Sequence, residues 1–107
     1  MGLIASLEAM LDGGRDDALL RFSLGSALLS AHRADEARVH LQAAVAHDPG
    51  YSAAWKLLGK AQLAAGDEAA AGDAYRAGIT AAEKKGDKQA MKEMQVFLRR
   101  LQKDLGK

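Results

Sequence analysis

Residues 24–31 read LGSALLSA and residues 58–65 read LGKAQLAA. Displaced by 34 places, the chain pairs Leu24 with Leu58, Gly25 with Gly59, Ala27 with Ala61, Leu29 with Leu63 and Ala31 with Ala65. The register continues through Ala37 with Ala71 and Ala43 with Ala77, and similar rather than identical pairs join it: Leu41 with Tyr75, Ala44 with Gly78, Val45 with Ile79. The matches fall at helix-like spacings, since residues three and four apart share one side of a helix. A period of this length marks a stacked array of helical units.

Punctuation divides each unit in two. Asp16 or Asp17 is placed to cap a helix running to about Ala31, and Asp35 to cap the next, which stops before Asp48-Pro49-Gly50 because proline disfavours helix in the residue preceding it. Ser52 and Asp67 repeat the capping pattern, with Gly66 free to take a left-handed turn between them. Each unit is therefore a helical hairpin. Working outward, Leu3, Ile4, Leu7, Met10 and Leu11 form an apolar stripe before Gly13-Gly14, and Leu3, Leu7 and Met10 fall on Ala37, Leu41 and Ala44 at the same offset, so the first helix is a half-repeat of the second type. After Gly86 and the cap candidate Asp87, the set Ala90, Met91, Met94, Phe97, Leu98, Leu101 and Leu105 gives a strongly amphipathic last helix. The spacing predicts six antiparallel helices near residues 3–12, 17–31, 35–47, 52–65, 68–85 and 88–105, with no sheet.

Composition agrees. Alanine occurs 23 times and proline once, and alanine is the best helix former because it loses no side-chain entropy there. A length of 107 residues with 49% hydrophobic composition suits one domain. With no cysteine, disulfides and thiolate zinc sites are excluded and stability rests on packing. Met1 to Asp12 has no basic residue and carries Glu8, unlike a signal peptide, and no segment approaches a membrane span, so the expected compartment is cytoplasmic. Net charge is +1, divided as −4 over residues 1–83 and +5 over 84–107. The basic end suits an acidic partner, or simply a solvated outer face on a terminal helix.

Candidates for chemistry are few. His32, His40 and His47 are the only groups titrating near neutrality; His40 and His47 stand seven apart on one helix, too far to share an ion, and no carboxylate pair or HExxH pattern accompanies them. A surface position fits them. Ser26 sits mid-helix with no activating base, and there is no phosphate-binding glycine loop. Met1-Gly2-Leu3-Ile4-Ala5-Ser6 matches a myristoylation signal, but the preferred reading is an ordinary helix start whose Leu3 is needed for packing. No catalytic residue, metal or cofactor is expected.

The second unit, with Trp55, Leu58, Gly59, Ala71, Tyr75 and Gly78, resembles the tetratricopeptide-repeat (TPR) family, and the first unit supplies Leu24, Gly25, Leu28, Asp35-Glu36-Ala37, Leu41, Ala44 and Asp48-Pro49 in the same register. Departures are His32 for the usual Gly, Arg21 for Trp, Gln62 for an aromatic and Glu83 for the closing Pro. The last helix fits best after an insertion of two residues, which implies a longer second-type helix through Lys85. The resemblance implies an all-α fold, a short right-handed TPR solenoid of stacked antiparallel hairpins. It would form one domain over residues 1–107: half-repeat 1–14, repeats 18–51 and 52–85, and a capping helix over 87–107.

By the same resemblance, first-type helices line a concave groove that binds a peptide of a partner protein. The residues facing it would be Leu19, Phe22, Ser26 and Leu29 on the first such helix, Ala53, Lys56, Lys60 and Leu63 on the second, and Gln89, Lys92, Val96 and Arg99 on the third. Such a groove, apolar at one end and basic at the other, suits an apolar anchor with acidic groups. A carboxylate clamp of the kind that holds chaperone tails is not expected, because that subtype needs Asn and the chain has none. The implied function is a non-enzymatic interaction module of the adaptor, scaffold or co-chaperone kind. The alternatives are a self-associating structural module, with a second copy as partner, and a weak nucleic-acid binder using the basic last helix; few free aromatic residues and a near-neutral charge disfavour nucleic acid. Trp55 is expected to be buried between its own hairpin and the preceding one, with a cost of about 3 to 5 kcal/mol on replacement by alanine.

Overall fold

The computed structural model describes residues 2–106, and among them it contains six α-helices and no strand. They are α1 (Leu3–Asp12), α2 (Ala18–Ser30), α3 (Ala34–His47), α4 (Ser52–Ala64), α5 (Glu68–Lys85) and α6 (Lys88–Leu105). Met1 and Lys107, the outer ends of the expected half-repeat and capping helix, lie outside the described residues.

Local chemistry explains most boundaries. The carboxylates of Asp17, Asp67 and Asp87 accept hydrogen bonds from the free amides of Leu20, Ala70 and Ala90 at 2.8, 3.0 and 3.1 Å, so each caps the helix that follows. Two expected caps are corrected. Asp35 lies within the first turn of α3, where it pairs with Arg38 at 3.1 Å, and Arg33 holds the cap position without a side-chain bond. Ser52 is the first residue of α4 and is buried, behind Tyr51 at the cap position. The first shift has a backbone cause. His32 adopts φ 61°, the left-handed conformation that Gly66 takes at φ 86° in the equivalent turn, so α3 starts in the register of α5, with Arg33 at the place of Asp67.

The helices stack as antiparallel hairpins. α2 packs along α3 and α4 along α5, α4 also packs on α3, α6 packs on α5, and the first-type helices touch in succession, α2 on α4 and α4 on α6. Small residues permit these crossings. A Cβ at Gly25 would lie 2.6 Å from Leu41 Cδ2, one at Gly59 2.7 Å from Tyr75 Cδ1, and one at Gly78 2.7 Å from Trp55 Cβ. Leu24, Leu28, Leu41, Leu58 and Ala61 fill the core of the first two hairpins, and Ala71, Tyr75, Ala82, Met94 and Leu101 join the second hairpin to α6.

Trp55 departs from expectation. It is half-buried, with its indole N–H donated to the Pro49 carbonyl at 2.8 Å, because its ring lies at the border of the two clusters and faces outward on one side.

Gly72 contrasts with the packed glycines. It lies within α5, where a Cβ would meet Arg76 Nη1 at 3.4 Å and Leu101 Cδ2 at 3.6 Å, both ordinary contacts. Gly72→Ala is therefore expected to raise stability by about 0.5–1 kcal/mol, through the lost entropy of helical glycine alone. A urea midpoint at or below that of the wild type would contradict this.

Candidate functional site

The one-letter pattern of α2, α4 and α6 separates packing residues from the rest. Leu24, Gly25 and Leu28 of α2 and Leu58 and Gly59 of α4 are buried against their hairpin partners. About a third of a turn away on the same helices, Leu19 is 58% exposed, Phe22, Ser26, Leu29, Ala53 and Lys56 are half-buried, Lys60 is exposed and Leu63 is 43% exposed. On α6, Gln89, Lys92 and Arg99 are exposed and Val96 is half-buried.

Three neighbours of this face were not anticipated from the sequence. Phe22 stacks on Tyr51, with ring centroids 4.9 Å apart and planes 29° from parallel. Burial and the nearby Asp48 carboxylate push the Tyr51 phenol above its ordinary pKa. Between α4 and α6, Glu93 Oε2 lies 3.6 Å from Lys56 Nζ, and Lys60 Nζ sits 5.1 Å above the centre of the Phe97 ring. Lys56 is thus paired, whereas Lys60 rests on an aromatic face and leaves its ammonium open to a partner. The two-residue insertion before α6 was the available signal, because it sets Glu93 on Leu57 and Phe97 on Ala61.

The face contains two depressions. Phe22, Ser23, Ser26, Ala27 and Ser30 of α2 and the start of α1 line one of about 590 Å³. Leu63, Tyr75, Phe97 and Arg100 line another of about 250 Å³ at the far end of α4. Phe22 and Ser26 are thus brought together, and Leu63 lies apart from them beside Phe97.

Charge elsewhere is arranged differently. Asp16 accepts from Arg21 Nε at 2.8 Å, Arg21 Nη2 at 2.9 Å and His47 Nε2 at 2.9 Å. The Arg21 bonds, and then the His47 bond, hold the Asp16 carboxyl well below the usual carboxylate range. Arg21 Nη1 lies 3.0 Å from His40 Nδ1, and because a guanidinium only donates, Nδ1 must accept and the ring proton sits on Nε2. Burial first, and the Arg21 charge second, lower the His40 pKa. The histidines are therefore not all free surface groups: His40 is half-buried, and His47 is exposed but bonded. This network ties α2 to α3. Among the described residues no group of three or more His, Cys, Asp or Glu is placed to hold a metal ion, and no helix is long and apolar enough to cross a membrane.

A family model described as tetratricopeptide repeat matches residues 28–87. A TPR repeat-containing protein of Pseudomonas aeruginosa is 57% identical over 99 residues, which span 92% of this chain and 94% of that relative. The solution structure of a protein from Bordetella parapertussis is similar at a TM-score of 0.83 and 47% identity, covering 97% of this chain and 90% of that one.

Proposed function

Because the chain belongs to the tetratricopeptide-repeat family, whose members mediate protein–protein interactions, we propose that it is a non-catalytic module binding a peptide segment of a partner along the shared face of α2, α4 and α6. One observation carries the reading. Phe22 and Leu29 on α2, Lys60 and Leu63 on α4, and Lys92 and Arg99 on α6 keep accessible surface on first-type helices whose packing is done by other residues. The peptide would set an aliphatic or aromatic anchor beside Phe22 and Ser26 and extend acidic groups toward Lys60, Lys92 and Arg99, where charge-assisted bonds form. Lys56 contributes less than its position suggests, because Glu93 already neutralises it.

The test reverses the free charges. Lys60→Glu combined with Lys92→Glu is expected to weaken binding of labelled acidic peptides with one apolar anchor by about tenfold or more at low salt, and by less at high salt. The melting curve should hardly move, because exposed charges contribute little to stability. Equal affinity for wild type and variant at low ionic strength would sink the assignment.

A second reading, association with another copy through α1, has its own support. No residue of α1 is buried, with Leu3 66% and Met10 46% exposed, whereas their counterparts Ala37 and Ala44 on α3 are fully buried. Sedimentation at the concentrations of the peptide titration separates the two: a monomer throughout removes this reading and leaves the first standing.

A further inference from the structure

The surface that α1 and α2 show at the head of the array repeats the one that α5 and α6 show to α4. Leu7 stands, after two offsets of 34 residues, where Tyr75 stands on α5. Ser23 and Ala27 stand, once the two-residue insertion is counted, where Glu93 and Phe97 stand on α6. α4 packs on both elements: Gly59 lies against the Tyr75 ring, Lys56 Nζ is 3.6 Å from Glu93 Oε2, and Lys60 Nζ is 5.1 Å from the centre of the Phe97 ring. Among the described helices α1 packs only on α2, and no helix takes the corresponding place on the pair. Leu3 is 66% exposed there, and Ser23, Ser26, Ala27 and Ser30 line a depression of about 590 Å³ with the start of α1.

The helix that fits this place is at the other end of the chain. α6 is a first-type helix like α4, and it carries Met91, Gln95 and Leu98, all half-buried, in the places of Trp55, Gly59 and Gln62. Among the described helices α6 packs only on α4 and α5, which leaves it without the hairpin partner that α5 is to α4. Sizes adjust at the crossing. Gln95 is larger than Gly59, but Leu7 is smaller than Tyr75, while Leu3 and Met10 are larger than Ala71 and Gly78. The pair therefore crosses at a wider spacing than the internal hairpins, toward the upper end of the roughly 8–10 Å that side chains set.

Charge selects the pairing. Residues 1–30 hold four acidic and two basic side chains (−2), and α6 holds five basic and two acidic (+3). Glu93 is already paired with Lys56, so the exposed Lys92, Arg99 and Arg100 dominate the tail. Head against head or tail against tail brings like charges together, whereas tail against head brings opposite ones.

We infer that copies of this chain associate head to tail, with α6 of one copy docking on α1 and over Ser23 and Ala27 of the next, as α4 docks on α5 and α6. The inference rests on the second reading above, association through α1, and gives it a partner surface and a direction. The interface is heterologous, so each added copy leaves one head and one tail free. Phe22 and Ser26 line the same depression, so a docked copy and a peptide anchor exclude each other there.

Sedimentation equilibrium of the full chain reads the association. So few helices make a small interface, and the mean mass is expected to rise between about 20 µM and about 1 mM. Raising the salt from about 0.02 M to about 0.5 M should weaken the association about fivefold or more. Two variants block one end each: Leu3→Lys with Ser30→Lys at the head, and Lys92→Glu with Gln95→Glu at the tail. Each alone is expected to stay monomeric, and an equal mixture to regain association, because each supplies the surface the other lacks. A wild type that is monomeric to about 1 mM overturns the inference and the second reading together, and leaves the peptide site standing. A tail variant that still associates overturns the inference alone, since α1 would then pair without α6. So would a mixture that stays monomeric, or an association that strengthens with salt. If either variant does not fold, the salt response of the wild type decides.

Discussion

Gly59→Leu is expected to destabilise the protein by about 3 kcal/mol or more, at or above the upper end of ordinary overpacking. A Cβ at this position would already penetrate the Tyr75 ring, 2.7 Å from both Cδ1 and Cζ, before the rest of the leucine is added. The ring has nowhere to retreat, being 2% exposed and tilted against Phe97 at a centroid distance of 5.7 Å. Relief requires α4 and α5 to separate, which loses contacts along the whole hairpin. Urea denaturation measures it. A loss below about 1 kcal/mol would mean that the two helices do not cross at Gly59.

Tyr75→Ala probes the same crossing from the other side and should cost about 3 to 5 kcal/mol, the range for removing a buried aromatic side chain. Trp55→Ala should cost less, about 2 to 3 kcal/mol, because the indole is half-buried and part of its surface already meets solvent. Chemical melts of the two variants should therefore rank tyrosine above tryptophan, although the larger ring is the more prominent residue of the family pattern. The reverse order would place the indole deeper than the border of the two clusters allows.

These paired expectations mark where sequence was informative. The 34-residue identity of Leu24-Gly25 with Leu58-Gly59 located the crossings, because close approach of helices leaves no choice but a small residue facing a large one. Caps at Asp17, Asp67 and Asp87 were equally legible, since a carboxylate one residue ahead of free amides acts locally. Asp35 and Ser52 look the same in sequence, yet each lies in the first turn of its helix rather than at the cap position. The degree of Trp55 burial was not legible, because it depends on Ala74 and Val45 from two other helices. Nor were the pairing of Lys56 with Glu93 or the chain from Asp16 through Arg21 to His40, because polar contacts between helices carry no periodic signal. The face assigned to peptide binding was reached through family resemblance rather than through any chemistry of its own.

The order in which the helices touch has a kinetic consequence. Among the described residues no helix packs on another more than two elements away, and α1 and α6 do not touch. Folding therefore requires no long loop to close before favourable contacts form, which places the chain among topologies that fold in microseconds to milliseconds. Each hairpin has most of its partners as soon as the following helix is available, so structure can grow in step with synthesis from the ribosome.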